Sequence, residues 1–280
     1  MTPSSGLTDA SGGTGGTCTV LDVEYFVGDV PAATATVLRR VQSGRGGYSC
    51  LCGVHGIITA QHSERMKGAL DEAWLNFPDG APVAWLMRRH GAETARRVAG
   101  PDLMPSVIDA GQELGLRHFL FGSSPEVLER LERRLLDRFP RAIIAGSLSP
   151  PFRPLTDAEN AEVAGKIVAA KADLVWVGLG LPKQDDWLRR SSDLFAPAVG
   201  LGVGAAFDFL AGSKPRAPEW MQAAGLEWMH RLLKEPRRLA GRYAKTNTEF
   251  VARAGLALTR EYGRAGMRIV ERSRPRAARR

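Results

Sequence analysis

Apolar residues along this chain follow two alternating patterns. Short continuous runs at residues 20–26, 48–54, 74–77, 118–121, 142–145, 174–178 and 197–203 are too brief for surface helices, and several are bounded by glycine or proline. They predict strands. Between them the apolar positions take helical spacing. Ser124-Pro125 offers an N-cap and a first-turn proline ahead of the stripe Val127, Leu128, Leu131 and Leu135. Thr156 and Glu159 make a capping-box pattern ahead of Ala161, Val163, Ile167 and Val168. This alternation predicts an α/β fold, a mostly parallel sheet with helices on both faces.

Beyond Lys214 the pattern changes. Trp220, Met221, Trp228, Met229, Leu232 and Leu233 recur at helical spacing, a second helix is predicted over 237–262, and no further strand signal follows. The chain therefore divides into a Ser/Thr/Gly-rich flexible leader (1–17), an α/β core (18–215), a helical C-terminal appendage (216–262) and a basic tail predicted to be disordered (263–280).

Charge sharpens that division. The net charge is +8, yet residues 216–280 alone carry sixteen Lys/Arg against six Asp/Glu, so the rest of the chain is slightly acidic. A basic end on a near-neutral body suits an anionic partner, either phospholipid or nucleic acid. The tail after Tyr262 has no aromatic residue to stack on bases, so no nucleic-acid partner is expected. No apolar run reaches the ~18–20 residues needed to cross a bilayer, and the leader lacks the basic start and apolar stretch of a signal peptide. The expectation is a cytoplasmic protein, peripheral on the inner face of the cell membrane. Cys50 and Cys52, two apart in a strand, should share one face as reduced core thiols.

In a parallel sheet, ligands sit at the carboxyl ends of the strands, so the loops leaving those ends are where chemistry belongs. Four stand out. Asp79, in Phe77-Pro78-Asp79-Gly80, reads as a helix N-cap on spacing alone, with a general base as the functional alternative. Asp102, a few residues after Arg96 and Arg97, likewise reads as a cap, and the arginines suit phosphate oxygens. Gly178-Leu179-Gly180-Leu181-Pro182-Lys183-Gln184-Asp185 combines a close backbone approach at Gly180 with helix amides, Lys183 and Gln184, a set suited to a diphosphate. Gly200, Gly202 and Gly204 superficially match a dinucleotide fingerprint. That pattern opens the first βαβ unit, whereas here no strand signal follows, so an NAD-dependent oxidoreductase is the alternative reading; Gly202 and Gly204 fit a nucleobase, a ribose or close packing.

These segments, in this order, resemble the WecB/TagA/CpsF family of glycosyltransferases (glycosyltransferase family 26). The likeness runs through "FLFGSSPEV", "SPPFRPL", "VWVGLGLPKQD", "GVGAAFDFLAG" and "RAPEWMQAAGLEWMHRLLKEPRR", over about residues 48–245. It implies a Rossmann-like core and an inverting transfer of an N-acetylmannosamine-type or related sugar from a UDP-sugar donor to a polyprenyl-diphosphate-linked sugar acceptor. It places the general base on Asp79, matches Arg97 and Gln184 to family positions, and assigns Arg231 and Arg238 to the leaving diphosphate. A third such arginine is out of register: Gly241 stands in its place, with Arg242 beside it. The family's Thr-x-Asn loop has no clean counterpart in Cys52-Gly53-Val54-His55-Gly56, where His55 reads as a polar contact, a partner in the base role or a structural histidine. No Asp-x-Asp motif is visible, and neither metal nor cofactor is expected. Whether the chain forms a homo-oligomer is left open.

Overall fold

The computed structural model describes residues 16–273, apart from the side chains of Ala223, Arg238, Arg242 and everything from Arg260 onward. Its centre is a six-stranded sheet of β3 (Gly47–Cys52), β4 (Leu75–Pro78), β5 (Arg117–Gly122), β6 (Ile143–Leu148), β7 (Leu174–Gly178) and β8 (Val199–Gly202); β1 (Thr17–Val20) and β2 (Val23–Phe26) lie outside it. The order is β4-β3-β8-β7-β5-β6 and every pairing is parallel.

Alternation along the strands sends side chains to two cores. Cys50 and Cys52 join Phe121, Val177, Met66 and Trp187 on one face. Leu51, Phe77, Trp176 and Leu201 meet Val37, Leu103, Val107 and Leu131 on the other. The two cysteines do share a face, as their spacing requires, and both are buried free thiols. The helix Pro125–Arg138 forms as read: Ser124 accepts from the Val127 amide, Pro125 starts the first turn, and Leu128, Leu131 and Leu135 are buried. The capping box of Thr156 and Glu159 is present on the helix Asp157–Ala169. Its buried face, however, is Asn160, Val163, Ala164 and Ile167, an i, i+3, i+4, i+7 set, which leaves both Ala161 and Val168 one position off the face and exposed.

The run 20–26 is not one strand. It belongs to a hairpin of β1 (Thr17–Val20) and β2 (Val23–Phe26), turned by Leu21 and Asp22, both at positive φ. Two left-handed residues make the turn that matches strand twist, and leucine gives no sequence signal for it. The hairpin flanks β4: Asn76 Nδ2 donates to the Glu24 carbonyl at 3.0 Å and Phe26 packs edge-on against Phe77. It thereby shields an edge strand.

The appendage is three helices: Glu219–Ala223, Glu227–Lys234 and Pro236–Ser273. Gly225, at φ +72°, divides the first two, and a Cβ there would lie 2.6 Å from Ala81 Cβ, so this bend rests on the start of the helix that follows β4. The last helix crosses the helix Val54–Ala60. Phe250 and Ala254 enter the core there, Glu249 meets His62, and Arg253 Nη1 donates to Gln61 at 3.1 Å. It extends to Ser273, past the predicted end at 262. Residues 1–15 of the leader and 274–280 of the tail lie outside the described residues.

Candidate active site

Four neighbouring strands, β4, β3, β8 and β7, carry Asp79, His55, Gly202, Gly204, Gly180, Lys183 and Gln184 at or just beyond their carboxyl ends; Arg97 precedes the helix Gly100–Gly111, and the other predicted arginines lie on the appendage. Asp79 follows β4. Its amide donates to the Cys52 carbonyl at 3.2 Å, and a Cβ on Gly53 would sit 2.2 Å from the Asp79 carbonyl oxygen. Only glycine lets these two loops touch. Gly80, at φ +121°, is the N-cap of the helix Ala81–Arg89, and no side chain caps that helix. The capping expectation for Asp79 is thus corrected: a left-handed glycine ends the loop and leaves the carboxylate of Asp79 uncommitted to backbone amides.

Asp79 keeps partial contact with solvent while protein surrounds it on most sides. Burial pushes its carboxyl up to about 6, against the pull of the Arg97 and Arg231 guanidiniums; Glu227 and Asp102 push in the same direction as burial. Arg97 is held alongside because the Val98 amide donates to the Pro78 carbonyl at 2.9 Å. Arg231 arrives from the appendage helix Glu227–Lys234, its guanidinium 5.8 Å from the Phe209 ring centroid. A carboxylate with its proton affinity raised, flanked by two cations from different parts of the chain, can accept a proton while its neighbours stabilise an anion.

Asp102 also departs from the capping expectation. Ala99 is the N-cap of the helix Gly100–Gly111, and Asp102 instead accepts from Arg97 Nη2 at 2.9 Å and from both terminal nitrogens of Arg216 at 2.6 and 2.8 Å. Two guanidiniums nearby outbid a backbone amide for one carboxylate. Arg97 Nη1 also donates to Glu227 at 2.5 Å, and Arg216 Nε to Glu227 at 3.4 Å. These four side chains join core to appendage, and Arg216 and Glu227 were not among the residues singled out from sequence. Their signal was faint: both lie in the "RAPEWMQAAGLEW" run, but spacing alone does not tell a charge that faces the core from one that faces water.

Gln184 is buried and bridges loops. Its Oε1 accepts from the Gly180 amide at 3.2 Å, and its Nε2 lies 3.0 Å from where a Cβ on Gly202 would be. Gly202 and Gly204, the latter at φ +54°, therefore stand in close packing with Gln184. Gly180, at φ +76°, has open space beside it. Lys183 lies apart from this, exposed at the rim, its ammonium 5.2 Å from the centroid of the wholly exposed Phe152. His55 is in the first turn of the helix Val54–Ala60, with its Nδ1 3.4 Å from Thr59 Oγ1. Arg238 and Arg242 fall on the last helix; their side chains lie outside the described residues. Among the described residues no group of three His, Cys, Asp or Glu is placed to hold a metal ion, and no helix is long and apolar enough to cross a membrane. A shallow pocket lined by Arg40, Tyr48, Glu72 and Trp74 lies at the amino ends of β3 and β4, away from this constellation.

The family described as "Glycosyl transferase WecG/TagA/CpsF family" matches residues 18–264. Among characterised relatives, the N-acetylglucosaminyldiphosphoundecaprenol N-acetyl-beta-D-mannosaminyltransferase of Bacillus spizizenii is 34% identical over 179 residues, which is 64% of this chain and 68% of that protein. The protein of the same name from Bacillus subtilis is 32% identical over 160 residues, 57% of this chain and 60% of that protein.

Proposed function

The chain belongs to the glycosyl transferase WecG/TagA/CpsF family, and from that premise we propose that it moves an N-acetylmannosamine-type sugar from a UDP-sugar to a polyprenyl-diphosphate-linked acceptor. The relatives' name supports the acceptor: both are transferases to N-acetylglucosaminyldiphosphoundecaprenol. What supports the reading is Asp79 at the carboxyl end of β4, near enough to the Arg97 and Arg231 guanidiniums for both to act on its charge.

In this mechanism the acceptor hydroxyl attacks the anomeric carbon in line with the departing diphosphate, so the configuration inverts. The new C–O bond forms as the bond to UDP breaks. Asp79 takes the hydroxyl proton, and its raised proton affinity improves it as a base near neutral pH. The leaving diphosphate gains negative charge, which Arg231 and Arg97 stabilise, with Arg238 and Arg242 as further candidates on the last helix. Gln184 holds the Gly178–Pro182 and Gly202–Gly204 loops against each other, setting the width of the nucleotide site, while His55 and Lys183 stand at its margins.

Because the acceptor is a lipid, the site must meet a membrane. Trp220, Trp228 and Leu233 are exposed on the appendage, among the basic residues of 216–280. The test of function is a donor screen: several UDP-sugars with a short polyprenyl-diphosphate-N-acetylglucosamine, reading UDP release and product mass. Absence of UDP release with every sugar, or equal release from Asp79→Asn, refutes the reading. Sedimentation with anionic vesicles that survives Trp220→Ser and Leu233→Ser together would dispose of the membrane face.

A further inference from the structure

Arg97, Asp102, Arg216 and Glu227 form a closed ring of two guanidiniums and two carboxylates, each side chain 15–30% exposed. The two acids do not hold the ring equally. Asp102, on a core helix, takes three guanidinium N–H groups at 2.6–2.9 Å, and the arginines hold its carboxyl below the usual range despite burial. Glu227, on the appendage, takes one short bond from Arg97 and only a 3.4 Å contact from Arg216. Asp102 is thus bonded closely to both arginines, whereas Glu227 is bonded closely to Arg97 alone and leaves Arg216 at 3.4 Å.

Two forked guanidiniums, aligned by a shared carboxylate and largely withdrawn from water, make a geometry that fits the paired oxygens of a diphosphate. We propose that Arg97 and Arg216 together form a diphosphate-binding fork, that Asp102 positions it, and that Glu227 is an internal placeholder which the substrate's diphosphate displaces. The proposal rests on the glycosyl-transfer reading above and adds Arg216 to the residues that meet the nucleotide. Arg231 follows Glu227 by one helical turn, so the exchange acts on the same short helix that carries Arg231.

A placeholder and a merely structural ion pair predict opposite signs. Losing a competing carboxylate frees the fork for its ligand; losing a structural bond loosens the appendage and weakens the site. Calorimetric titration of the full chain with UDP and with inorganic pyrophosphate reads the difference. Glu227→Gln is expected to bind both roughly tenfold more tightly than the unaltered chain, and Arg216→Gln roughly tenfold more weakly. Tighter retention of UDP also predicts that Glu227→Gln lowers KM for the donor and lowers kcat with it. Glu227→Asp, which keeps the charge but is one methylene short of Arg97, should tighten binding to a lesser degree. It guards against a Gln variant whose appendage loosens. Binding that is equal or weaker in both Glu227 variants overturns the proposal, as does an Arg216→Gln chain that binds like the original. An unaltered chain that binds neither probe refutes the nucleotide site itself, and that outcome is separate from the behaviour of Glu227.

Discussion

Replacing Asp79 by Asn should sharply reduce turnover and make the protein more stable at alkaline pH. The carboxyl is raised from an ordinary 3.8 to about 6, chiefly by burial. A folded-state value above the unfolded one means that proton-linked stability is complete below about pH 4 and is lost as pH rises through 6. At about 1.36 kcal/mol per unit, the loss at pH 8 amounts to roughly 3 kcal/mol at most. Asp79 touches solvent, which screens the effect, so a gain of about 1–2 kcal/mol for the Asn variant is the reasonable expectation. The assay is urea unfolding of both proteins at pH 8, 6 and 4, together with UDP release. The variant should be more stable at pH 8, by a margin that shrinks to nothing near pH 4, while activity falls by on the order of 10²-fold or more. An Asn variant less stable than the original at pH 8, or a difference independent of pH, would refute the claim that burial of a charge dominates at this position.

Three further expectations follow from the same geometry. For turnover itself, kcat/KM should climb with pH through about 6 and level off above it, since the base works only when ionised; a profile flat from pH 5 to 8 removes Asp79 from the rate. Gly53→Ala would put a Cβ 2.2 Å from the Asp79 carbonyl oxygen, so urea unfolding should show a loss of at least about 2 kcal/mol, with reduced turnover in whatever folds. His118 is wholly buried, its Nδ1 accepting from the Trp176 indole at 3.1 Å, and burial lowers it from 6.5 to about 4. The unfolded chain takes up a proton there that the folded chain refuses, so stability should fall by up to about 3 kcal/mol as pH drops from 6.5 to 4; His118→Gln should flatten that part of the acid limb.

The parts of this molecule legible in the sequence are those fixed by local rules. Strand β7 was read with its true ends because 174–178 is an apolar run closed by glycine, and the helix after Ser124 because cap, proline and stripe agree. That the strands run parallel, so that their carboxyl ends share one edge, could be read from strand–helix alternation alone. What stayed hidden depends on the third dimension. Spacing made caps of Asp79 and Asp102, since a carboxylate before a helix usually serves its amides. The structure instead caps one helix with Gly80 and gives Asp102 to two arginines. The turn at Leu21-Asp22 carries no glycine or asparagine to announce it. Gln184 was read as a ligand-facing amide, yet its packing against Gly180 and Gly202 was fixed by strand order, which single-chain patterning does not supply.

The thiols of Cys50 and Cys52 lie in the same interior that raises Asp79, and burial pushes Cys52 up to about 12 and Cys50 well above its ordinary range. At pH 8 roughly one Cys52 in ten thousand would be thiolate, so both sulfurs are chemically silent toward alkylating dyes. With Cys18 replaced, a single cysteine introduced at an exposed appendage position such as Leu233 would be the one site a fluorophore finds. The native interior thus leaves the environment of the terminal helices open to spectroscopic observation without disturbing the buried cysteines.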